Sequence, residues 1–143
     1  MPVRIIGTGS YVPEKIVTNE DLEKLVDTSD AWITERTGIH TRRVTGEGTA
    51  AMAVRAAGAA LERAGMEPEE LDMILVGTST GDFLFPGTAC QVQGALGASG
   101  AVCFDLSAAC PGFLFTLNTA KVYLESGAYK SALVIGADTL SKT

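Results

Sequence analysis

The chain has 143 residues, the length of one domain that can bury a real hydrophobic core. Its formal net charge is −6, from 11 basic and 17 acidic residues, which argues against nucleic acid or an anionic membrane as the main partner because both need a basic face. No stretch approaches the roughly 20 apolar residues of a membrane span, so we expect a cytoplasmic protein without a membrane partner.

Four short apolar runs predict β-strands. The first covers Arg4 to Thr8, and the others cover Met73 to Thr78, Ala101 to Leu106 and Ala132 to Ala137. Three of the four are nearly continuous in apolar residues, which is typical of strands that are covered on both faces in a parallel sheet. The pattern predicts an α/β fold.

Five helices are predicted around these strands. Residues 18–21 resemble a capping box that opens a helix through about Val26, and Thr28 or Ser29 caps a second helix that Gly38 ends. The other three are each followed by a glycine, and they cover about Thr49 to Ala64, Thr88 to Leu96 and about Pro111 to Ser126.

Two of these helices predict unusual surroundings. The helix from Thr49 carries a wall of alanines, which allows another backbone to approach closely. The helix after Pro111 is apolar nearly all round, so we expect it to be buried on more than one side. It suggests a middle layer, with a second sheet beyond it that this chain does not supply.

Two glycine motifs match known sites poorly. The G-T-G at residues 7–9 lacks the third glycine of a dinucleotide-binding loop, and Pro13 follows where a helix is needed. Residues 77–81 read G-T-S-T-G, the form of a nucleophile elbow, but no helix is predicted to start there. A turn that ends a strand is the better interpretation of the second motif.

The single histidine and two of the three cysteines are interpreted as structural. His40 lies in a polar segment and is expected to be exposed, not catalytic. An odd number of cysteines without C-x-x-C spacing predicts neither a disulfide framework nor a zinc site. Cys90 and Cys103 lie inside a predicted helix and strand, and we interpret them as small buried hydrophobic residues.

Cys110 differs because it lies between the end of a strand and the start of a helix. A thiol there lies at the positive end of the helix dipole and near backbone N–H groups, which favour the thiolate, the form that attacks carbonyls. The same N–H groups can hold a developing oxyanion. Cys110 is therefore a candidate nucleophile, and the alternative is a buried structural cysteine.

Trp32 and Arg36 are four residues apart on a short predicted helix, so they share one face. An aromatic ring beside a guanidinium suits the head group of a nucleotide. A tryptophan buried against the sheet, with the arginine packed over it, explains the pair equally well. Both interpretations stay open at this point.

Four segments in collinear order carry a family resemblance. They are I-I-G-T-G-S-Y-V-P-E at residues 5–14, T-N-E-D-L at 18–22, D-T-S-D-A-W-I-T-E-R-T-G-I at 27–39 and D-L-S-A-A-C-P-G-F at 105–113. Together they resemble the amino-terminal half of β-ketoacyl-acyl carrier protein synthase III, the condensing enzyme that starts type II fatty acid synthesis. The resemblance implies a thiolase-like fold with αβαβα layers, of which residues 1–143 would form the amino-terminal half-domain without its last strand.

The resemblance implies an acyltransferase whose substrate is a CoA thioester, without a cofactor or metal. Cys110 would take an acyl group, typically acetyl, from acyl-CoA, and the acyl-enzyme would condense with malonyl-acyl carrier protein as carbon dioxide leaves. Four residues match the positions that hold the CoA nucleotide, and these are Thr28, Trp32, Arg36 and Thr37. Phe85 matches the residue that closes the acyl pocket of the neighbouring subunit, so the resemblance also implies a homodimer.

Some features of the family are missing. Its decarboxylation step uses a His and an Asn from the second half, and His40 does not match that position. We therefore interpret the chain as a truncation that does not catalyse condensation alone, with a fifth strand expected beyond Thr143. Pro111 stands where a small residue is more usual in the family.

Two alternative functions are retained. One is another thiolase-fold enzyme, such as a ketosynthase of secondary metabolism or a hydroxymethylglutaryl-CoA-synthase-like enzyme, and the tryptophan motif argues against the latter. The other is a non-catalytic fragment or subunit that only scaffolds a partner. Retention of Cys110, Trp32 and Arg36 argues against a purely structural role.

Overall fold

A computed structural model describes residues 2–142. Two compact units can be distinguished. The smaller unit is Val12–Gly46, and the larger unit consists of the residues up to Tyr11 and those from Glu47 onward.

The smaller unit contains a two-stranded antiparallel sheet whose strands are connected by two helices. Strand β1 (Lys15–Thr18) pairs antiparallel with β2 (Thr41–Val44), and helices α1 (Asn19–Glu23) and α2 (Asp30–Thr37) connect the two. The sequence did not predict these strands, because they are only four residues long and carry no apolar run. Asn19 is fully buried, and its side chain donates to Asp30 Oδ1 (2.7 Å) and accepts from Arg42.

Both helices of this unit begin at the residues that the sequence predicted. The capping box at Thr18 is present, because its hydroxyl accepts from the Asp21 N–H and the Asp21 carboxylate accepts from the Thr18 N–H. However, α1 ends at Glu23, not near Val26. Ser29, not Thr28, caps α2, and Gly38 ends that helix in the left-handed conformation.

The larger unit contains a parallel sheet of three strands in the order β4-β3-β5. These are β3 (Met73–Gly77), β4 (Val102–Leu106) and β5 (Ala132–Gly136). They confirm the last three predicted strands to within one residue. Helices α3 (Thr49–Ala64) and α4 (Thr88–Leu96) share a core cluster with Ile74 and Val76. Short 3-10 turns at Pro68–Glu70 and Leu140–Lys142 complete the elements.

Helix α5 (Gly112–Glu125) covers the opposite face of this sheet. Its Ala120 packs with Met73 and Leu75, whose side chains alternate with those that face α3 and α4. Within the described chain α5 buries one side only, so its burial by a second sheet, which the sequence predicted outside this chain, stays a prediction. Its exposed apolar side chains include Phe113, Leu114, Phe115, Val122 and Tyr123.

The first predicted strand is wrong: residues 4–8 form no strand ladder within residues 2–142. They lie instead against α3, since a Cβ on Gly7 would be 2.5 Å from the Ala60 carbonyl oxygen. A Cβ on Gly9 would be 2.3 Å from the Ala56 carbonyl oxygen. The alanine wall thus allows the close backbone approach that the sequence predicted.

A cavity of about 980 Å³ is lined by residues 2–9 together with parts of α3, α5 and β5.

Over residues 2–142, the structure contains no helix with the length and apolar character that crossing a bilayer requires.

Aspartate side chains satisfy the amino-terminal N–H groups of α3 and α4. Asp82 accepts from the N–H groups of Thr49 (2.8 Å) and Ala50 (2.9 Å), and its carboxylate also pairs with Lys142. Burial acts to raise the pKa of Asp82, but the hydrogen bonds from Lys142, Ala50 and Thr49 outweigh it, so the pKa is lowered. The charged form of Asp82 therefore stabilises the start of α3.

We expect Asp82→Asn to lower the free energy of unfolding by about 1 kcal/mol at pH 7, the usual effect of losing a helix cap. The folded-state pKa is lowered, so the carboxylate contributes stability above the ordinary pKa of 3.8 and loses it as the pH falls further. Urea unfolding should show that the free energy of unfolding falls more steeply between pH 7 and pH 3 in the wild type than in Asp82→Asn. Asp27→Asn, at an exposed carboxylate, is the matched control. Equal stability of Asp82→Asn and wild type at pH 7 would contradict the cap.

Candidate active site

Cys110 is exposed in a tight turn between β4 and α5. The residue before it, Ala109, has φ 49°, the left-handed region that costs a non-glycine residue about 1–2 kcal/mol. A hydrogen bond from the Gly112 N–H to the Ala109 carbonyl (2.8 Å) closes the turn. The chain thus holds Cys110 in a strained turn that presents its side chain to solvent.

The amino terminus of α5 lacks the neutralising carboxylate that the other two helices of the larger unit have. In α4, Asp105 accepts from the N–H groups of Thr88 and Ala89, each at 2.6 Å. Among the described residues no side chain caps α5, and its first turn contains no acidic residue. Pro111 is its N-cap, so the helix begins one residue later than predicted. The positive end of the α5 dipole is therefore left beside Cys110.

Cys110 also contributes to the lining of the apolar cavity described above, together with Ala109, Phe113 and the end of β5. Cys110 therefore borders both solvent and a mostly apolar cavity. This is a suitable environment for a nucleophile that accepts an apolar group.

Cys90 and Cys103 form a separate pair. Their sulfurs are 3.2 Å apart. Both residues are half-buried and Cys103 packs against the core cluster, so the prediction of buried hydrophobic residues is only partly confirmed. Burial raises the pKa of Cys103 to about 11, and the neighbouring Cys90 adds to that increase. Cys103 is therefore protonated at neutral pH and is a poor nucleophile.

Trp32 and Arg36 share an exposed face of α2. The Arg36 guanidinium lies 5.0 Å from the centroid of the indole ring, and Trp32 is 53% exposed. The interpretation of a tryptophan buried against the sheet is therefore wrong. Ile33 provides the buried contact of α2, so the indole ring and the guanidinium lie together at the surface of this unit.

The two threonines of the predicted nucleotide site flank this helix. Thr28 is half-buried just before the Ser29 cap. Thr37 ends the helix, since its hydroxyl donates to the Ile33 carbonyl (2.7 Å) and accepts from the Ile39 N–H (3.1 Å). The Thr37 hydroxyl is therefore occupied in shaping the end of α2.

Phe85 lies in an exposed apolar loop before α4. Phe83, Leu84 and Phe85 are 63%, 102% and 89% exposed. Three consecutive exposed apolar side chains are typical of a surface that contacts another molecule.

The other two sequence candidates have the structural roles that were predicted. His40 is exposed. Ser79, in the G-T-S-T-G segment, is in a turn without a following helix, and its N–H donates to Asp138 Oδ1 (2.9 Å). Among residues 2–142, no group of three or more His, Cys, Asp or Glu side chains is placed to hold a metal ion.

Cys110 and Phe85 belong to the larger unit, whereas the four predicted nucleotide-binding residues belong to the smaller one. The sequence analysis did not predict the role of Asp105, which lies in β4 two residues after Cys103. Its carboxylate accepts hydrogen bonds from the first N–H groups of α4. The signal was available, because Asp105 is the only charged residue in the apolar run from Ala101 to Leu106.

Comparison with known proteins places the chain in a family. A family model described as 3-oxoacyl-[acyl-carrier-protein (ACP)] synthase III matches residues 104–143. The β-ketoacyl-[acyl-carrier-protein] synthase III of Clostridium acetobutylicum is 55% identical over 98% of this chain and 43% of its own length. That of Caldanaerobacter subterraneus is 56% identical over 96% of this chain and 42% of its own length.

Solved structures agree with the sequence matches. The crystal structure of 3-oxoacyl-[acyl-carrier-protein] synthase III from Aquifex aeolicus is 52% identical, with a TM-score of 0.94 over 96% of this chain and 45% of that one. The priming β-ketosynthase of the R1128 polyketide pathway is 36% identical, with a TM-score of 0.91 over 96% of this chain and 42% of that one. The chain thus spans less than half the length of the relatives it matches. We conclude that it belongs to the β-ketoacyl-acyl carrier protein synthase III family, with a thiolase-like α/β fold, and corresponds to the amino-terminal part of its relatives.

Proposed function

We propose that this chain supplies the acyl-accepting part of an initiation condensing enzyme of type II fatty acid synthesis. The observation that carries the proposal is the position of Cys110. It is exposed, follows a strained residue, and lies beside a helix terminus that no carboxylate neutralises within the described residues. These are the features that an acyl-accepting thiol requires.

The first reaction is transfer of an acyl group, typically acetyl, from CoA to Cys110. The deprotonated sulfur attacks the thioester carbonyl carbon, the carbon–sulfur bond to CoA breaks, and CoA leaves as a thiolate that takes up a proton. The negative oxygen of the tetrahedral intermediate needs N–H donors, and the start of α5 supplies such groups.

The second reaction is condensation of the acyl-enzyme with malonyl-acyl carrier protein. Loss of carbon dioxide gives a carbanion, which attacks the Cys110 thioester and frees the thiol. The family performs this step with a His and an Asn of its second half. His40 does not replace that His, because it matches neither the position nor the motif, and it is exposed in the smaller unit.

The CoA nucleotide is proposed to bind the smaller unit. The Trp32 ring offers a face for the adenine, and the Arg36 guanidinium offers a charge for a phosphate. Thr28 and Thr37 complete the proposed surface at the two ends of α2, with Thr37 acting through the shape of the helix end.

A cytoplasmic homodimer is the proposed assembly. The exposed loop with Phe85 supports it, because a subunit partner would cover that apolar surface. The open edge of β4 also supports it, since Val102 is 43% exposed and an uncovered parallel edge strand invites pairing. In that assembly Phe85 would close the acyl pocket of the neighbouring subunit.

A ketosynthase of secondary metabolism is the second candidate, favoured by the similarity to the R1128 priming enzyme. The identity is lower than for the acyl-carrier-protein synthases III of Aquifex aeolicus and Clostridium acetobutylicum. The two candidates differ in the acyl group that they accept, so acetyl-CoA and a longer acyl-CoA should both be offered to the protein.

Acetyl transfer to Cys110 tests the proposed function directly. The chain, alone and joined to the remaining length of the Clostridium acetobutylicum relative, is incubated at pH 7.5 with radiolabelled acetyl-CoA. We expect one label per chain, located on Cys110 by peptide mass spectrometry. Cys110→Ser should carry none. Cys90→Ser is the matched control and should label normally, because it removes a half-buried thiol and leaves Cys110 unchanged. A joined, folded protein without label on Cys110 would contradict the proposal.

Trp32→Ala should weaken the use of acetyl-CoA without unfolding the protein, because the ring is 53% exposed. Loss of the stacked ring, and with it of the ring's contact with the Arg36 cation, is worth about 1 kcal/mol, so we expect KM for acetyl-CoA to rise about fivefold. The acetyl thioester of pantetheine, which lacks the nucleotide, should react equally well with both proteins. Glu35→Gln is a control on the same helix. An equal loss with both thioesters would mean that Trp32 does not bind the nucleotide.

A further inference from the structure

The first turn of α5 lies on two glycines of the sheet. Gly77 is the last residue of β3, Gly136 is the last residue of β5, and the two are register partners. Both lie on the sheet face that packs against α5, because they share the strand parity of the residues in the α5 core cluster. The cluster residues of this parity are Met73, Leu75, Ala132 and Val134.

Gly77 allows a backbone contact that no other residue permits. A Cβ at this position would lie 2.9 Å from the carbonyl carbon of Gly112 and 3.0 Å from its oxygen. It would also lie 2.8 Å from Thr116 Oγ1. Thr116 has little freedom to move away, because it is fully buried and its hydroxyl donates to the Gly112 carbonyl (2.7 Å). A side chain at Gly77 would therefore displace the first turn of α5.

Gly136 makes a looser contact with the same turn. A Cβ there would lie 3.1 Å from Cβ and 3.2 Å from Cδ2 of Phe113. Because Phe113 is 45% exposed, its ring can rotate away from this contact, whereas its Cβ can yield only if the backbone of the turn shifts by a few tenths of an ångström. The two glycines thus contact neighbouring residues of one helical turn, and the contact at Gly77 leaves less room for movement than the contact at Gly136.

A shift of this turn would reach Cys110 directly. The Gly112 N–H is bonded to the Ala109 carbonyl (2.8 Å), so the turn of residues 109–112 is tied to the start of α5. Ala109 is already in the left-handed conformation, which leaves little backbone freedom to absorb a displacement.

We propose that Gly77 and Gly136 are positioning residues for the Cys110 nucleophile. They let the start of α5 rest directly on the ends of β3 and β5, and this fixes where the Cys110 sulfur stands relative to the incoming thioester. The proposal rests on the role of Cys110 put forward under the proposed function. Gly77 acts through the helix backbone, and Gly136 acts through Phe113.

The test compares Gly77→Ala and Gly136→Ala with Gly58→Ala in the joined protein used for acetyl transfer. Gly58 is an exposed α3 position with no described atom within 4 Å of a built Cβ. We expect the rate constant of Cys110 acetylation to fall about tenfold or more in Gly77→Ala and two- to fivefold in Gly136→Ala. KM for acetyl-CoA and the final yield of acetylated Cys110 should be unchanged. Gly58→Ala should match the wild type in all three quantities.

Folded variants that acetylate at the wild-type rate would overturn the proposal. It would also be overturned if the variants acetylate more slowly only because a smaller fraction of their Cys110 can be acetylated at all. If Gly77→Ala does not fold, Gly136→Ala decides the question by the same criteria. If the wild type itself is not acetylated on Cys110, the proposed function is overturned instead. Positioning is then decided by the rate of Cys110 alkylation with iodoacetamide, where a change of at least threefold in Gly136→Ala supports it and an unchanged rate overturns it.

Discussion

The contact between the end of β3 and the first turn of α5 supports the turn that carries Cys110. β3 is the central strand of the parallel sheet, and its residues from Met73 to Val76 are fully buried. A fully buried central strand is the stiffest reference that a small α/β unit has, because both faces and both edges are packed. Since the Gly112 backbone and the buried Thr116 hydroxyl lie directly against Gly77 at the end of that strand, no long flexible side chain separates the Cys110 turn from the core there.

The amino terminus of α5 differs in charge from the amino termini of α3 and α4. The chain is acidic overall, and carboxylates accept from the first N–H groups of both α3 and α4. A carboxylate in the same place on α5 would compete with any negative charge that forms next to Cys110. Stabilising that helix terminus would therefore remove the electrostatic feature that a thiolate or an oxyanion uses. Without a carboxylate at this end, α5 is stabilised by its packing on the sheet, through its buried residues Gly112, Thr116 and Ala120.

Most of the larger unit could be predicted from the sequence, because continuous apolar runs and glycine stops are strong local signals. Helix α3 begins and ends at the predicted residues, as does α4. The failure at residues 4–8 has a different origin, because a strand is defined by its neighbour and an apolar run cannot reveal whether a neighbour is present. The same limit applies to β1 and β2, whose pairing depends on residues about 25 positions apart. The shared face of Trp32 and Arg36 followed from helical spacing, but the exposure of that face needed the structure.

The smaller unit shows why its candidate nucleotide surface can remain open. Its α2 helix buries a single side chain, Ile33, so apolar packing alone would hold the helix weakly. The fully buried Asn19 replaces that packing, because its amide donates to Asp30 Oδ1 at one end of the helix and to the Ile39 carbonyl (2.9 Å) beyond the other. A buried amide with all of these partners fixes direction more strictly than an apolar contact of the same size, since leaving any one of them unpaired costs about 1–3 kcal/mol. With both ends of α2 held by polar bonds, Trp32 and Arg36 need not contribute to folding and can be kept for a ligand.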